Sequence, residues 1–90
     1  MRAVRIVVSG RVQGVGFRAF VRQVAHERGI SGWVRNRPDG CVEAEAVGHE
    51  PELVEFVKAL RVGPRKAWVE RVAEEWFEPA EAPRGFRVTG

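Results

Sequence analysis

The chain has 90 residues, with 15 Lys and Arg against 12 Asp and Glu for a net charge of +3, and all but two of the basic residues are arginine. That length suits one small core and excludes a full two-halved dinucleotide-binding sheet, while a single cysteine, Cys41, excludes an internal disulfide or a cysteine metal cluster. The mild positive charge favours anionic partners without choosing between a small phosphate ester and a nucleic acid.

In chain order, Met1-Arg2-Ala3-Val4-Arg5 lacks the unbroken apolar stretch of a signal peptide. A cytoplasmic protein with no membrane partner is therefore expected, organised as one domain over residues 1–90. A first strand is predicted from Ala3 to Val12. Val4, Ile6, Val8 and Val12 share one face, and Arg5, Ser9 and Arg11 the other. From Phe17 to Arg28 the period changes: Phe17, Phe20, Val21, Val24 and Ala25 form one helical stripe, which Gly29 terminates. Between them, Gly10 to Arg18 passes through two closely spaced glycines into the helix. Such a turn leaves several backbone N–H groups without an intrahelical acceptor, and the helix dipole adds positive potential. Arg18, in the first helical turn, opposes that dipole unless an anion is held there, and its guanidinium can fork onto two oxygens. The stretch is a candidate oxyanion cradle. The alternative is a tight connection whose glycines only permit the turn.

A second strand is predicted from Gly32 to Arg37, with Val34 and Asn36 on one face and Trp33, Arg35 and Arg37 on the other. Arg37-Pro38-Asp39-Gly40 is a turn signal, and a third strand follows with Val42, Ala44 and Ala46 opposed to Glu43 and Glu45. Glu43 and Glu45 are expected to pair across strands with Arg35 and Arg5. Gly48-His49-Glu50-Pro51 opens a second helix, with His49 placed to cap it, and Leu53, Phe56, Val57 and Leu60 form its buried stripe as far as Gly63-Pro64. A fourth strand lies within Ala67 to Phe77, where Val69 and Val72 fall out of phase and predict a bulge or a break. A short last strand is expected from Gly85 to Thr89. Trp68 and Trp76 read as packing or edge cover, and His26 as a solvated helix residue.

The order β-α-β-β-α-β is the ferredoxin-like α+β arrangement: an antiparallel sheet with two helices on one face. The helical crossover makes the first two long strands parallel, with the third between them. Their C-terminal ends then meet at one edge of the sheet, which brings the glycine turn, Arg18 and Asn36 together. Two other patterns touch the same stretch. Gly14-x-Gly16-x-x-Ala19 formally fits a dinucleotide fingerprint, but the second strand enters a hairpin rather than another crossover. Gly16 to Val21 loosely resembles an RNA-binding aromatic motif, which keeps a small RNA-binding module as the alternative. However, its aromatics fall in a helix, and the open sheet face carries Glu43 and Glu45 with Trp33 as its clear aromatic.

Val12-Gln13-Gly14-Val15-Gly16-Phe17-Arg18, then Gly29-Ile30-x-Gly32-Trp33-Val34-Arg35-Asn36, then Asp39-Gly40-x-Val42-Glu43, resembles the acylphosphatases. Gly63-Pro64-x-x-Ala67-x-Val69 is similar to the family's later signature, so the resemblance covers nearly the whole chain, with Ile30 in place of the commoner leucine. It implies hydrolysis of the carboxyl–phosphate bond of small acyl phosphates. It implies catalytic roles for Arg18 and Asn36, and a phosphate-binding loop of Gln13, Gly14, Val15, Gly16 and Phe17 leading to Arg18. Inorganic phosphate or sulfate is the expected site ligand, with no cofactor, no metal and no nucleic acid partner, and a monomer is expected. Similar domains also occur within larger carbamoyl-transferring maturation proteins.

Overall fold

Each of the first three strands buries the face that its alternation marks. The computed structural model describes all 90 residues, and its elements are β1 (Arg2–Arg11), α1 (Phe17–Glu27), β2 (Ser31–Asn36), β3 (Val42–Gly48), α2 (Glu50–Val62), β4 (Trp68–Phe77) and β5 (Phe86–Val88). Val4, Ile6 and Val8 of β1, Val34 of β2, and Val42, Ala44 and Ala46 of β3 form one apolar surface. Onto it pack Phe17, Val21, Val24 and Ala25 of α1 and Leu53, Phe56, Val57 and Leu60 of α2, all buried. Burying such side chains contributes about 1.5–3 kcal/mol each before entropy is subtracted. Phe56 meets Phe86 of β5 edge-on at 6.1 Å, which ties the last strand to the same core. No helix is long and apolar enough to cross a membrane.

The sheet order is β4-β1-β3-β2-β5, so β3 lies between β1 and β2 as the crossover requires. The first four strands are antiparallel to their neighbours, but β5 runs parallel to β2, and the five-stranded sheet is mixed rather than antiparallel throughout. The reason is where β4 stops. Phe77 lies opposite Ala3, at the end of the sheet where β1 begins. Residues 78–85 carry the chain along that end to the opposite edge, and a strand starting there must run in the direction of β2.

The expected bulge sits in β4. Val72 lies opposite Val8 and Arg71 opposite Ser9, but Val69 lies opposite Gly10, leaving Glu70 as the extra residue. The bulge returns Val69 and Val72 to the same face, where both pack on the core. It also drives the β4 backbone against Gly10, which has φ +124°; a Cβ there would stand 2.2 Å from the Trp68 carbonyl oxygen. Several boundaries differ from the sequence reading by one residue: β1 runs from Arg2 to Arg11 rather than Ala3 to Val12, α1 ends at Glu27, β2 runs from Ser31 to Asn36, and β5 from Phe86 to Val88. His49 precedes α2, yet its side chain makes no capping hydrogen bond. Its carbonyl oxygen accepts from the N–H groups of Glu52 and Leu53 instead, at 3.1 and 3.0 Å.

Candidate active site

The connection between β1 and α1 is shaped by two left-handed residues. Gly14 has φ +74° and Gly16 has φ +80°, and neither has an atom within 4 Å of where a Cβ would project. Gly16 is the N-cap of α1, which has neither a side-chain cap nor an acidic residue in its first turn. Apart from Phe20, which donates to the Gly16 carbonyl, the helix start satisfies none of its own donors: the N–H groups from Gly14 to Ala19 reach no acceptor in the chain. A row of unpartnered amides at a helix N-terminus is suited to an anion by its free donors and by the helix dipole.

These amides border a cleft of about 320 Å³. Gly14, Gly16, Phe17 and Arg18 line it from the loop side and Asn36 from the end of β2; Val12, Ala19, Arg22 and Val88 complete it. Arg18 is half-buried and makes no ion pair or hydrogen bond within the chain. Asn36 is also half-buried. Its side chain is uncommitted, while its backbone is fixed: it lies opposite Val42 of β3, and its N–H donates to the Gly90 carbonyl at 3.1 Å. Thr89 likewise donates to the Val34 carbonyl at 2.8 Å, so the chain end clamps the strand that carries Asn36. No His, Cys, Asp or Glu lines the cleft.

Of the expected loop residues, Gln13 and Val15 do not line the cleft with their side chains. Val15 packs against the core. The Gln13 amide donates to the carbonyls of Arg37 and Cys41 at 2.8 and 2.9 Å, stapling the loop to the β2–β3 turn. That turn is itself held by charge. Asp39 accepts from the Cys41 N–H at 3.1 Å and pairs with Arg37 at 2.8 Å, and these contacts, the Cys41 N–H first, hold its carboxyl below the usual range. Burial, and then the Asp39 charge, push the Cys41 thiol up. Sequence reasoning missed Arg22 and Val88. The signal for Arg22 was its position four residues after Arg18; Val88 depended on the parallel placement of β5.

The open face of the sheet is different in kind. Arg35 pairs with Glu43 at 2.8 Å and Arg5 with Glu45 at 2.9 Å, as the alternation predicts, and Arg5 also reaches Glu43 at 3.9 Å. Phe17 and Phe20 sit on α1, edge-on at 6.0 Å with Phe17 buried, and so provide no base-stacking platform on the sheet. Trp76 packs on the core beneath the Arg2 guanidinium, whereas Trp68 is 70% exposed on the β4 edge.

The family model described as Acylphosphatase matches residues 4–88. The chain belongs to the acylphosphatase family. An acylphosphatase of Salinibacter ruber is 48% identical over 81 residues, spanning 90% of this chain and 85% of the relative. The crystal structure of the acylphosphatase from Bacillus subtilis matches with a TM-score of 0.97 at 41% identity, each chain covered completely. Full-length HypF, in its phosphate- and nucleotide-bound form, matches at 29% identity with a TM-score of 0.90, over 99% of this chain and 12% of that one. Acylphosphatase membership makes this chain an enzyme, and its ferredoxin-like α+β fold is the family's own.

Proposed function

We propose that the chain hydrolyses the carboxyl–phosphate bond of small acyl phosphates in the cleft between the 13–18 loop and the end of β2. The convergence of unpartnered amides, one uncommitted guanidinium and one uncommitted carboxamide supports this reading most strongly. The transferring phosphate rests on the N–H groups from Gly14 to Ala19, and Arg18 forks onto its oxygens. Gln13 and Val15 serve the phosphate through the loop they stabilise rather than through their side chains. Inorganic phosphate or sulfate binds the same cradle as a competitor.

The chemistry needs no base. The leaving carboxylate has a conjugate acid with a pKa of about 4, so it departs without protonation. In the loose transition state, charge is spread over the three equatorial phosphoryl oxygens, where fixed amides and a guanidinium hold and stabilise it. Asn36 has negligible proton affinity, but its carboxamide can hold a water in line with the scissile bond. The water oxygen bonds to phosphorus as the bond from phosphorus to the acyl oxygen breaks. The carboxylate leaves with the electron pair, and the water proton passes to a substrate oxygen. No phosphoenzyme forms.

The loop from Val12 to Gly16, α1, β2 and β5 of one chain build the whole cleft, which supports activity of residues 1–90 as one domain and as a monomer. The direct test is release of phosphate from acetyl phosphate in the presence of a chelator, by wild type and by Arg18→Ala. Turnover by wild type and its loss in the variant are expected. Equal rates would overturn the assignment of Arg18.

A further inference from the structure

The cleft holds a second arginine that phosphate binding leaves unused. Arg22 stands one turn after Arg18 on α1 and lines the same cleft. Neither residue has a carboxylate partner; the eight ion pairs of the molecule all lie elsewhere, and no acidic side chain lines the cleft. Two arginines four residues apart repel each other; Arg18 lies in the first turn of α1 and Arg22 at its middle, and the first turn holds no acidic residue. An anion on the loop accounts for Arg18. Arg22 is set about 6 Å farther along the helix axis and is exposed where Arg18 is half-buried. Val12 and Val88 contribute apolar wall to the same cleft.

We propose that Arg22 selects acyl phosphates whose acyl chain carries a second anionic group. This inference rests on reading the cleft as an acyl phosphate site. With one phosphate on the loop amides and Arg18, a short acyl chain runs past the apolar wall. A carboxylate or phosphate at its far end then comes within reach of a guanidinium one helical turn along. That contact is made alike in the ground state and the transition state, so it acts on KM rather than kcat. It is a solvent-facing ion pair, and added salt weakens it.

The test compares succinyl phosphate with butanoyl phosphate, matched in chain length, in low salt for wild type, Arg22→Gln and Arg22→Lys. Wild type should favour succinyl phosphate in kcat/KM. Arg22→Gln should lower the succinyl-to-butanoyl ratio about fivefold, mainly through KM, as suits an exposed ion pair. Arg22→Lys should retain most of the ratio, because the charge remains. An unchanged ratio in Arg22→Gln overturns the inference, and so does an equal loss on both substrates, which would place Arg22 on the transferring phosphate. Absence of hydrolysis with either substrate in wild type overturns the acyl phosphate reading itself, and this inference with it.

Discussion

Arginines meet opposite fates on the two sides of this molecule. On the open sheet face, Arg5 and Arg35 are tied to Glu45 and Glu43, and Glu43 is only 8% exposed between its two partners. In the cleft, Arg18 and Arg22 have no acidic neighbour, and the amides beside them have no acceptor. The first arrangement neutralises charge and organises cross-strand pairs; the second leaves positive potential unspent at a helix N-terminus. Identical side chains thus neutralise neighbouring carboxylates where they are paired and stay free for an anion where they are not. Charge count alone, a modest +3, conceals this division.

Mutation should separate the two sides. The largest effect is expected for Arg18→Ala, which should lower kcat/KM for acetyl phosphate by at least about 10³-fold, in line with the loss of an arginine that stabilises phosphoryl transfer. Arg18→Lys should recover little of it, because a point charge cannot replace the fork. Asn36→Ala should lower kcat by about 10²-fold with KM little changed, the signature of a group acting in the transition state. Steady-state kinetics on purified variants separates these patterns, and near-normal kcat in Asn36→Ala would remove it from the mechanism.

On the paired face the readout should change from rate to stability. Glu43→Gln leaves two half-exposed guanidinium groups short of a partner, which should cost about 1 kcal/mol in urea unfolding without altering kcat. A fall in kcat of the same order as that of Asn36→Ala would erase the distinction between the faces. The smallest effect concerns pH. With no carboxylate, imidazole or thiol in the cleft, kcat should stay flat between about pH 6 and 8. A bell-shaped profile would reveal an acid or base that the cleft does not contain.

Much of this was legible in the chain because local pattern and global topology agree. The alternation of β1 to β3 determined which residues face the helices, and a helical crossover between β1 and β2 obliged Asn36 to end beside the glycine loop. Even the β4 bulge announced itself, through Val69 and Val72 lying three residues apart on what must be one face. What escaped depended on contacts between distant segments. The partners of Gln13 are carbonyls, which carry no side-chain signal. The parallel placement of β5 follows from a crossing of the sheet end by residues 78–85, whose sequence has no periodicity to read. Val88 reached the cleft only by that route.

The roles proposed for Arg18 and Asn36 both depend on water attacking phosphorus directly while the carboxylate leaves intact. Hydrolysis of acetyl phosphate in ¹⁸O-labelled water, followed by mass analysis of both products, decides whether it does. Attack at phosphorus puts one ¹⁸O in the inorganic phosphate and none in the acetate, and that is the expected outcome. Label in the acetate would mean attack at the carbonyl carbon, and would contradict a phosphate-stabilising Arg18 and a water-positioning Asn36 together.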